Sequence, residues 1–312
     1  MPVKNAGVLF TGHLMKLMHD GWNEYPNVLL NIFNHNKSTK RFEEWTGMVG
    51  IGKAEEKPFG QPMVYKDLSV ETPKRIQMRT FAVGLRLVME DIQDDQTGVL
   101  ERTAPMFGRA HGVSIELDCA SVFNTAFSTT LFTGYDGKAL CATDHPLEKP
   151  TWDPATDFDW STGPNKYTWA NRLPADADLD YTSYLDMLTL LRRQVARDGI
   201  PLELTPQFIL VPPELEPIAF EVTKSEMRPD TANNAKSWGY SKVRQIVVSN
   251  FLFDTDMWFI LADQHDLQYF ERMPFKTRKR DAEGTWDTII ESVHRHGVGF
   301  HDPRGIVGSA GA

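Results

Sequence analysis

The sequence has little cysteine: Cys119 and Cys141 are the only two among 312 residues. Two cysteines are too few for a disulfide framework, so a reducing compartment is expected. No run approaches the ~20 consecutive apolar residues that a transmembrane helix needs. No leader with a cationic and then an apolar segment opens the chain either. These absences predict a soluble protein made in a cytoplasm.

The sequence also lacks the short motifs of the common phosphate, hydrolase and zinc sites. Gly47, Gly50 and Gly52 are not followed by a helix that carries Lys-Ser or Lys-Thr, as a phosphate loop requires. There is no G-x-S-x-G nucleophile elbow, no H-E-x-x-H and no paired C-x-x-C. The usual signatures of these enzyme classes are therefore missing.

Positive charge is scarce as well. The formal charge is −9 and the pI is about 5.5, which argues against nucleic acid as the main partner. One basic run, Lys276–Arg280, is followed at once by Asp281 and Glu283. We interpret it as a solvated strand or turn face rather than a phosphate site.

What is present is a mixture of helical and strand periodicity. Every second residue from Phe81 to Met89 is apolar, which predicts a strand with one buried face. Together with Met63–Val70 this strand suggests a long antiparallel hairpin, whose tip spans residues 46–62. Residues 98–127 have helical spacing and would form a helix about 45 Å long, with Pro105 at a kink or at its true start.

The first 45 residues and the second half of the chain give further predictions. We expect two helical turns at Phe10–Met18, in an arm that is ordered against the same chain or a neighbour. A helix is expected from Thr182 or Ser183, stopped by Gly199. The remaining predicted elements are a helix from Pro213 to Lys224 and strands at Phe208–Val211, Val243–Ser249, Trp258–Ala262, Leu267–Arg280 and Thr285–Val298.

The strongest candidate for chemistry is the segment GYDGKALCATDHP at 134–146, which holds Asp136, Lys138, Cys141, Asp144 and His145. Cys141 as a thiolate with His145 as its base would make a nucleophile. Residues i and i+4 face each other only on a helix, however, and the Asp-Gly pair and the final proline indicate a turn and extended chain. We expect the Asp144 side chain to bond local backbone. No catalytic residue is predicted.

A second candidate is the late cluster of His294, His296, His301 and Asp302. On a strand His294 and His296 point to the same face, which zinc could use. The alternative is a wet strand end that runs into a turn at Gly297–Gly299. Because no carboxylate or cysteine stands at ligand spacing, neither a metal nor a cofactor is predicted.

Four sequence blocks in this order resemble the major capsid proteins of tailed bacteriophages. Met89–Asp95 precedes the long helix, and Tyr135–Pro146 follows it. Asp198–Glu216 and Phe251–Trp258 are the third and fourth blocks. The resemblance covers roughly residues 65 to 305 and is closest to the Mu-like major head subunit family.

The resemblance implies an α+β chain with the Hong Kong 97-type capsid fold. The implied parts are an N-terminal arm at 1–45 that reaches a neighbour, an extended hairpin (the E-loop) at 46–89, a peripheral domain at 90–145 with the spine helix, an axial domain at 146–255, and a return to the peripheral domain at 256–312. The surface excursion at 147–180 matches no family motif.

The implied function is structural: the chain would self-assemble through hexamers and pentamers into an icosahedral shell around a phage double-stranded DNA genome. It would act in the virion, with a separate scaffolding protein, a portal and decoration proteins as partners, without a membrane and without catalysis. Lys53 and Lys57 lie in the hairpin tip, but no partner asparagine stands out, so no cross-link is predicted. The alternatives are a cytosolic hydrolase that uses Cys141 and His145 or the late histidines, and a minor virion component such as a decoration protein.

Overall fold

The structure is a computed structural model. It describes residues 4–47, 54, 56–63, 65, 72–88, 90, 98–147, 168–197, 199–227, 236–285 and 287–311. The chain divides into two compact units. Unit 1 comprises residues 1–43, 76–119 and 268–299, and unit 2 comprises residues 44–75, 120–267 and 300–312.

Unit 1 is built on a four-stranded sheet. Its order is β1 (Asn34–Lys37), β10 (Leu267–Asp281), β11 (Thr288–Phe300) and β4 (Arg79–Leu87). β1 runs parallel to β10, and β11 runs antiparallel to β4. The predicted strand at 81–89 is thus present, and it pairs with β11. Most of its predicted partner at 63–70 lies outside the described residues. Alternation in a single strand cannot reveal that the partner lies 200 residues away.

Two helices cross in unit 1 with their backbones in contact. These are α1 (Lys4–Asn23) and α2 (Val99–Asn124), which begins in unit 1 and ends in unit 2. A Cβ on Gly108 would lie 2.0 Å from the Met18 carbonyl oxygen, and one on Gly21 would lie 2.2 Å from that of Pro105. Only glycine permits this approach, because any side chain would force the helices apart.

The N-terminal segment therefore packs against its own chain. Leu14 and Met18 of α1 are buried in a cluster with Ala104, Phe275 and Ile290. Of the two possibilities for the arm, the structure shows the intramolecular one for α1. The helix is also longer than the predicted two turns, because its apolar positions find partners that are distant in sequence.

The helix α2 is shorter than predicted, and Pro105 is not its start. It starts at Val99 and ends at Asn124, three residues before the predicted end. Pro105 lies inside the helix rather than at its start. Because proline has no N–H, one backbone hydrogen bond of the helix is not made at Pro105. The Pro105 carbonyl lies at the crossing with α1, where it faces Gly21 and leaves no room for a side chain on that residue.

Unit 2 contains a second four-stranded sheet, in the order β12 (Ile306–Ser309), β9 (Trp258–Ala262), β7 (Pro206–Val211) and β8 (Gln245–Val248). β7 is parallel to β8 and antiparallel to β9, and β12 is antiparallel to β9. All five residues of β9 are buried. The predicted boundary at 255/256 thus differs from the observed one, because β9 and β12 complete the sheet that β7 begins.

The helices of unit 2 follow their capping signals. Asp180 caps α3 (Tyr181–Arg192), and its carboxylate accepts from the Ser183 amide at 2.6 Å while the Ser183 hydroxyl accepts from the Asp180 amide. The helix ends at Arg192, seven residues before the predicted stop at Gly199. The 3-10 turn Pro213–Leu215 leads into α4 (Glu216–Lys224), as predicted.

Four short strands complete the architecture: β2 (Phe42–Trp45), β3 (Lys74–Gln77), β5 (His145–Pro146) and β6 (Thr168–Trp169). β5 and β6 pair antiparallel in unit 2. None of the helices in the described ranges is long and apolar enough to cross a membrane.

Candidate functional site

The connector, residues 134–146, is a turn followed by extended chain, as its sequence predicts. Gly137 has a φ of +73°, and the Asp136 carboxylate accepts from the Lys138 amide at 3.0 Å. The Cys141 amide donates to the Ala126 carbonyl at 2.7 Å, which attaches the connector to the residues after α2. No helical face brings Cys141 and His145 together.

His145 lies at the centre of a buried hydrogen-bond network. Its Nδ1 is 2.6 Å from Asp136 Oδ2, and its Nε2 is 2.9 Å from Asn171 Oδ1. The amide of Asn171 is oriented by its other contacts: Oδ1 accepts from the Ala142 amide, and Nδ2 donates to the Leu140 and Pro303 carbonyls. Asn171 thus joins the connector to the C-terminal segment of unit 2. It lies within the predicted surface excursion at 147–180, but Asn171 and its neighbours Trp169 and Leu173 are buried, so this part of the prediction was wrong.

The network is arranged for a charged ring. Both nitrogens of His145 point at oxygen acceptors, which uses both N–H groups of an imidazolium, and the ring and the Asp136 carboxylate are fully buried. Burial would raise the pKa of Asp136, but hydrogen bonds from His145 and the Lys138 amide outweigh burial, so that pKa is lowered. The pair is a buried salt bridge whose polar atoms are satisfied.

This arrangement gives no support to hydrolysis. Burial raises the pKa of the Cys141 thiol, so the thiolate that a nucleophile needs is disfavoured. Both ring nitrogens of His145 are occupied, which leaves neither free to act as a base for Cys141. The prediction for Asp144 was wrong: its carboxylate pairs with the exposed Lys138 ammonium instead of local backbone.

The late histidines belong to different units: His294 and His296 lie in unit 1 and His301 in unit 2. His294 and His296 lie on one face of β11, as predicted, with rings stacked at 5.0 Å and 3°. The His301 amide donates to Asp266 at 3.1 Å in unit 2, and Asp302 binds Arg304 at 3.0 Å. Among the described residues, no three histidine, cysteine or carboxylate side chains stand in position to hold a metal.

The wet strand end expected near His294 is instead a buried one. The strand β11 continues through Gly297 and Gly299 to Phe300, and His294 and His296 are almost completely buried. A turn was expected because of the glycines, but they serve close packing: a Cβ on Gly297 would lie 2.7 Å from the Gln77 carbonyl oxygen.

A third histidine, which the sequence analysis missed, completes this cluster. His111 on α2 lies with its Nδ1 2.5 Å from His294 Nδ1 and its Nε2 2.8 Å from the Ser292 hydroxyl. Two helical turns further along, Asp118 binds both His296 Nε2 at 2.9 Å and Arg79 at 2.6 Å. The spacing of His111 and Asp118, seven residues apart on one helix face, is the signal that could have indicated it.

Unit 2 also exposes large apolar side chains. Phe59, Met63 and Tyr65 in the segment before β3 are exposed, as are Phe220 on α4 and Phe253. The basic run on β10 is exposed and partly neutralised, since Arg278 and Arg280 both bind Glu291. Lys57 is exposed, and Lys53 lies outside the described residues.

Comparison with protein families identifies the family of this chain. Residues 71–309, more than half of the chain, match the family described as phage capsid protein. A comparison with curated proteins finds no match.

Solved structures share the fold. A structure of Mycobacterium phage Che8 matches with a TM-score of 0.52 and 14% identity, covering 90% of each chain. The capsid of cyanophage P-SCSP1u matches with a TM-score of 0.57 and 11% identity, covering 90% of this chain and 86% of the other. For the bacteriophage JBD30 capsid the TM-score is 0.55 and the identity 19%, over 73% of this chain and 91% of the other.

Proposed function

Because the chain belongs to the phage capsid protein family, we propose that it builds a closed icosahedral shell of hexamers and pentamers around a double-stranded DNA genome. It is a major capsid protein of the Hong Kong 97-type fold, located in the virion capsid. Its assignment to the Mu-like subfamily stays a prediction. The observation that carries the proposal is the family match over residues 71–309.

The apolar side chains on the surface support self-association. Phe59, Met63 and Tyr65 are 107%, 66% and 90% exposed. Every described residue of the segment 54–65 is exposed as well. Exposed apolar groups of this size mark contact surfaces. We propose that residues 46–89 form the extended hairpin (the E-loop), which lies over a neighbouring subunit through the exposed side chains at 46–65. We also propose that Phe220 and Phe253 contact neighbours within capsomers.

The charge distribution fits a container for DNA. Unit 1 has as many basic as acidic residues, so the whole formal charge of −9 belongs to unit 2. A shell without a strongly basic lining would not hold its genome tightly, which allows DNA to be packed and released. The exposed basic run on β10 is locally balanced by Glu291.

Further partners follow from this role. We propose a separate scaffolding protein and a portal during assembly in the host cytoplasm. The JBD30 capsid is described as decorated with minor capsid protein trimers, and a similar decoration is proposed for this shell. We propose no catalytic activity, because the buried Cys141 and the fully bonded His145 provide no activated nucleophile.

Assembly can be tested with matched variants. The expressed chain should sediment as capsomers or shells, and Phe59→Asp with Tyr65→Asp should abolish large particles while the subunit stays folded by circular dichroism. Lys57→Ala, a change of an exposed residue in the same segment, should assemble as the parent does. A compact monomer from the parent chain would contradict the proposal. Normal assembly of the double Asp variant would contradict the role of residues 46–65.

A further inference from the structure

The cluster formed by His111, Ser292 and His294 determines the position of each of its protons. The Ser292 hydroxyl donates to the Val83 carbonyl at 3.1 Å, so its oxygen accepts from His111 Nε2–H. His111 Nδ1 is then the acceptor for His294 Nδ1–H at 2.5 Å. Both rings are neutral in this chain of bonds, which runs from His294 of β11 to His111 of α2, back to Ser292 of β11 and on to Val83 of β4.

No further proton fits this chain of bonds without breaking it. His294 Nε2 is buried and has no partner among the described residues, so a proton there would be a buried charged donor without an acceptor. A proton on His111 Nδ1 would place two N–H groups face to face at 2.5 Å. The cluster is therefore intact only while both rings are neutral.

The surroundings of the two rings are mainly aromatic. The rings of Trp22 from α1, Phe81 from β4 and Phe275 from β10 enclose His111 and His294. His19 from α1 makes a T-shaped contact with Phe275, with the ring centres 4.9 Å apart.

The nearby ionisable groups are engaged elsewhere. His296 stacks on His294, and its Nε2 faces Asp118 of α2, which also binds Arg79 of β4. Tyr269 of β10 stacks on His296, and its pKa is raised by burial. The Asp118 carboxylate is thus already shared by a histidine and an arginine.

We propose that His111, Ser292 and His294 form a proton-sensitive lock, which holds α2 on the sheet of unit 1 at neutral pH and releases it on acidification. This inference concerns the subunit itself and goes beyond the proposed assembly. A capsid protein with such a lock would have a shell whose internal packing responds to mild acid.

The direction of the pH dependence of stability follows from the pKa shifts of the two histidines. Burial lowers the pKa of His111 to about 4 and, together with the neighbouring histidines, that of His294 to about 3, from 6.5. The folded state therefore binds fewer protons than the unfolded state. Stability is complete above pH 6.5 and is lost as the pH falls from there towards 4 and 3. Each histidine changes the opening equilibrium up to about tenfold per pH unit in this window.

Hydrogen exchange of the full chain tests the lock. Amide protection at residues 105–119, corrected for the intrinsic pH dependence, should fall about tenfold or more between pH 7 and pH 5 relative to α3 in unit 2. His294→Phe should flatten this dependence, whereas His13→Gln, at a half-exposed histidine of the same unit, should keep it. Equal changes in the two helices, or an unchanged dependence in His294→Phe, would overturn the proposal.

A measurement on the unmodified chain covers the case in which His294→Phe does not fold. Hydrogen exchange at the ring C2 position, followed by mass spectrometry, should give titration midpoints below pH 5 for His111 and His294. Midpoints near 6.5 would overturn the lock. The result is independent of assembly: shells whose α2 stays protected at pH 5 contradict the lock alone, and a non-assembling chain that opens at pH 5 contradicts the shell alone.

Discussion

Each of the two units buries a histidine site, but the two sites differ in how many ring nitrogens form hydrogen bonds. In the connector of unit 2, His145 lies between the Asp136 carboxylate and the Asn171 amide oxygen, and both ring nitrogens are bonded. In unit 1, His294 shares one proton with His111, and its second nitrogen has no partner in the described part of the chain. The first site suits a charged ring and the second requires neutral ones.

The difference shows what each site does for the fold. A fully bonded charged network fixes one path of the backbone, because every alternative leaves a buried charge unpaired. A chain of hydrogen-bonded neutral rings among aromatic side chains holds a helix on a sheet through fewer hydrogen bonds. Such a contact is weakened when one of the rings is protonated. The connector is therefore expected to hold one backbone path, whereas the cluster in unit 1 is expected to keep its packing only above mildly acidic pH.

The largest effect is expected from Asn171→Ala in the connector. The change leaves the Leu140 and Pro303 carbonyls, the Ala142 amide and His145 Nε2 without partners. Each buried orphan costs about 1–3 kcal/mol, so the loss should reach about 4 kcal/mol or more in urea unfolding. Asn250→Ala, at an exposed position, should change stability by less than about 0.5 kcal/mol. A loss below 1 kcal/mol for Asn171→Ala would mean that the network is not the support we describe.

The same substitution in both sites compares them directly. His145→Phe leaves the buried Asp136 carboxylate unpaired and should cost about 3–5 kcal/mol. His294→Phe removes only a donor to His111 among rings that accept an aromatic neighbour, and should cost about 1–3 kcal/mol. Urea unfolding at pH 7.5 measures both. Equal losses would break the distinction between the two sites.

A smaller effect is expected from Ser292→Ala. The change leaves His111 Nε2–H without an acceptor and removes the bond to Val83, at a cost of about 1–2 kcal/mol. Ser114→Ala, on the exposed face of the same helix α2, is the control and should be nearly neutral. If both variants unfold at the same urea concentration, Ser292 does not anchor the cluster.

The smallest effect is expected from Lys138→Met in the connector. Its ammonium pairs with Asp144, but the two side chains are 39% and 53% exposed. Exposed pairs contribute about 0–1 kcal/mol. Thermal unfolding should therefore change little, and a loss as large as that of His145→Phe would show that the outer pair, not the buried one, holds the turn.

The sequence predicted those elements whose signal is local. β9 was predicted at its observed bounds, because five consecutive apolar residues between turn residues are typical of a buried strand. Both ends of each of the strands β10 and β11 were predicted to within three residues. The turn at Asp136-Gly137 was also found, because an aspartate that bonds the amide two residues on is a local device.

What the sequence did not reveal depends on distant partners. Asn171 is 26 residues from His145 and 31 from Leu140, so no spacing indicates that it joins them. β12 has only four residues and is defined by its pairing with β9. The polar alternation of β11 suggested a solvated face at His294, because nothing in the strand itself shows that α2 covers it with His111.

The most direct test of the proposed role is a negative-stain electron micrograph of the chain expressed alone and with a candidate scaffolding protein. The account predicts closed, roughly icosahedral shells or ordered sheets of capsomers under at least one of these conditions. A uniform population of small, compact particles under both conditions would contradict it.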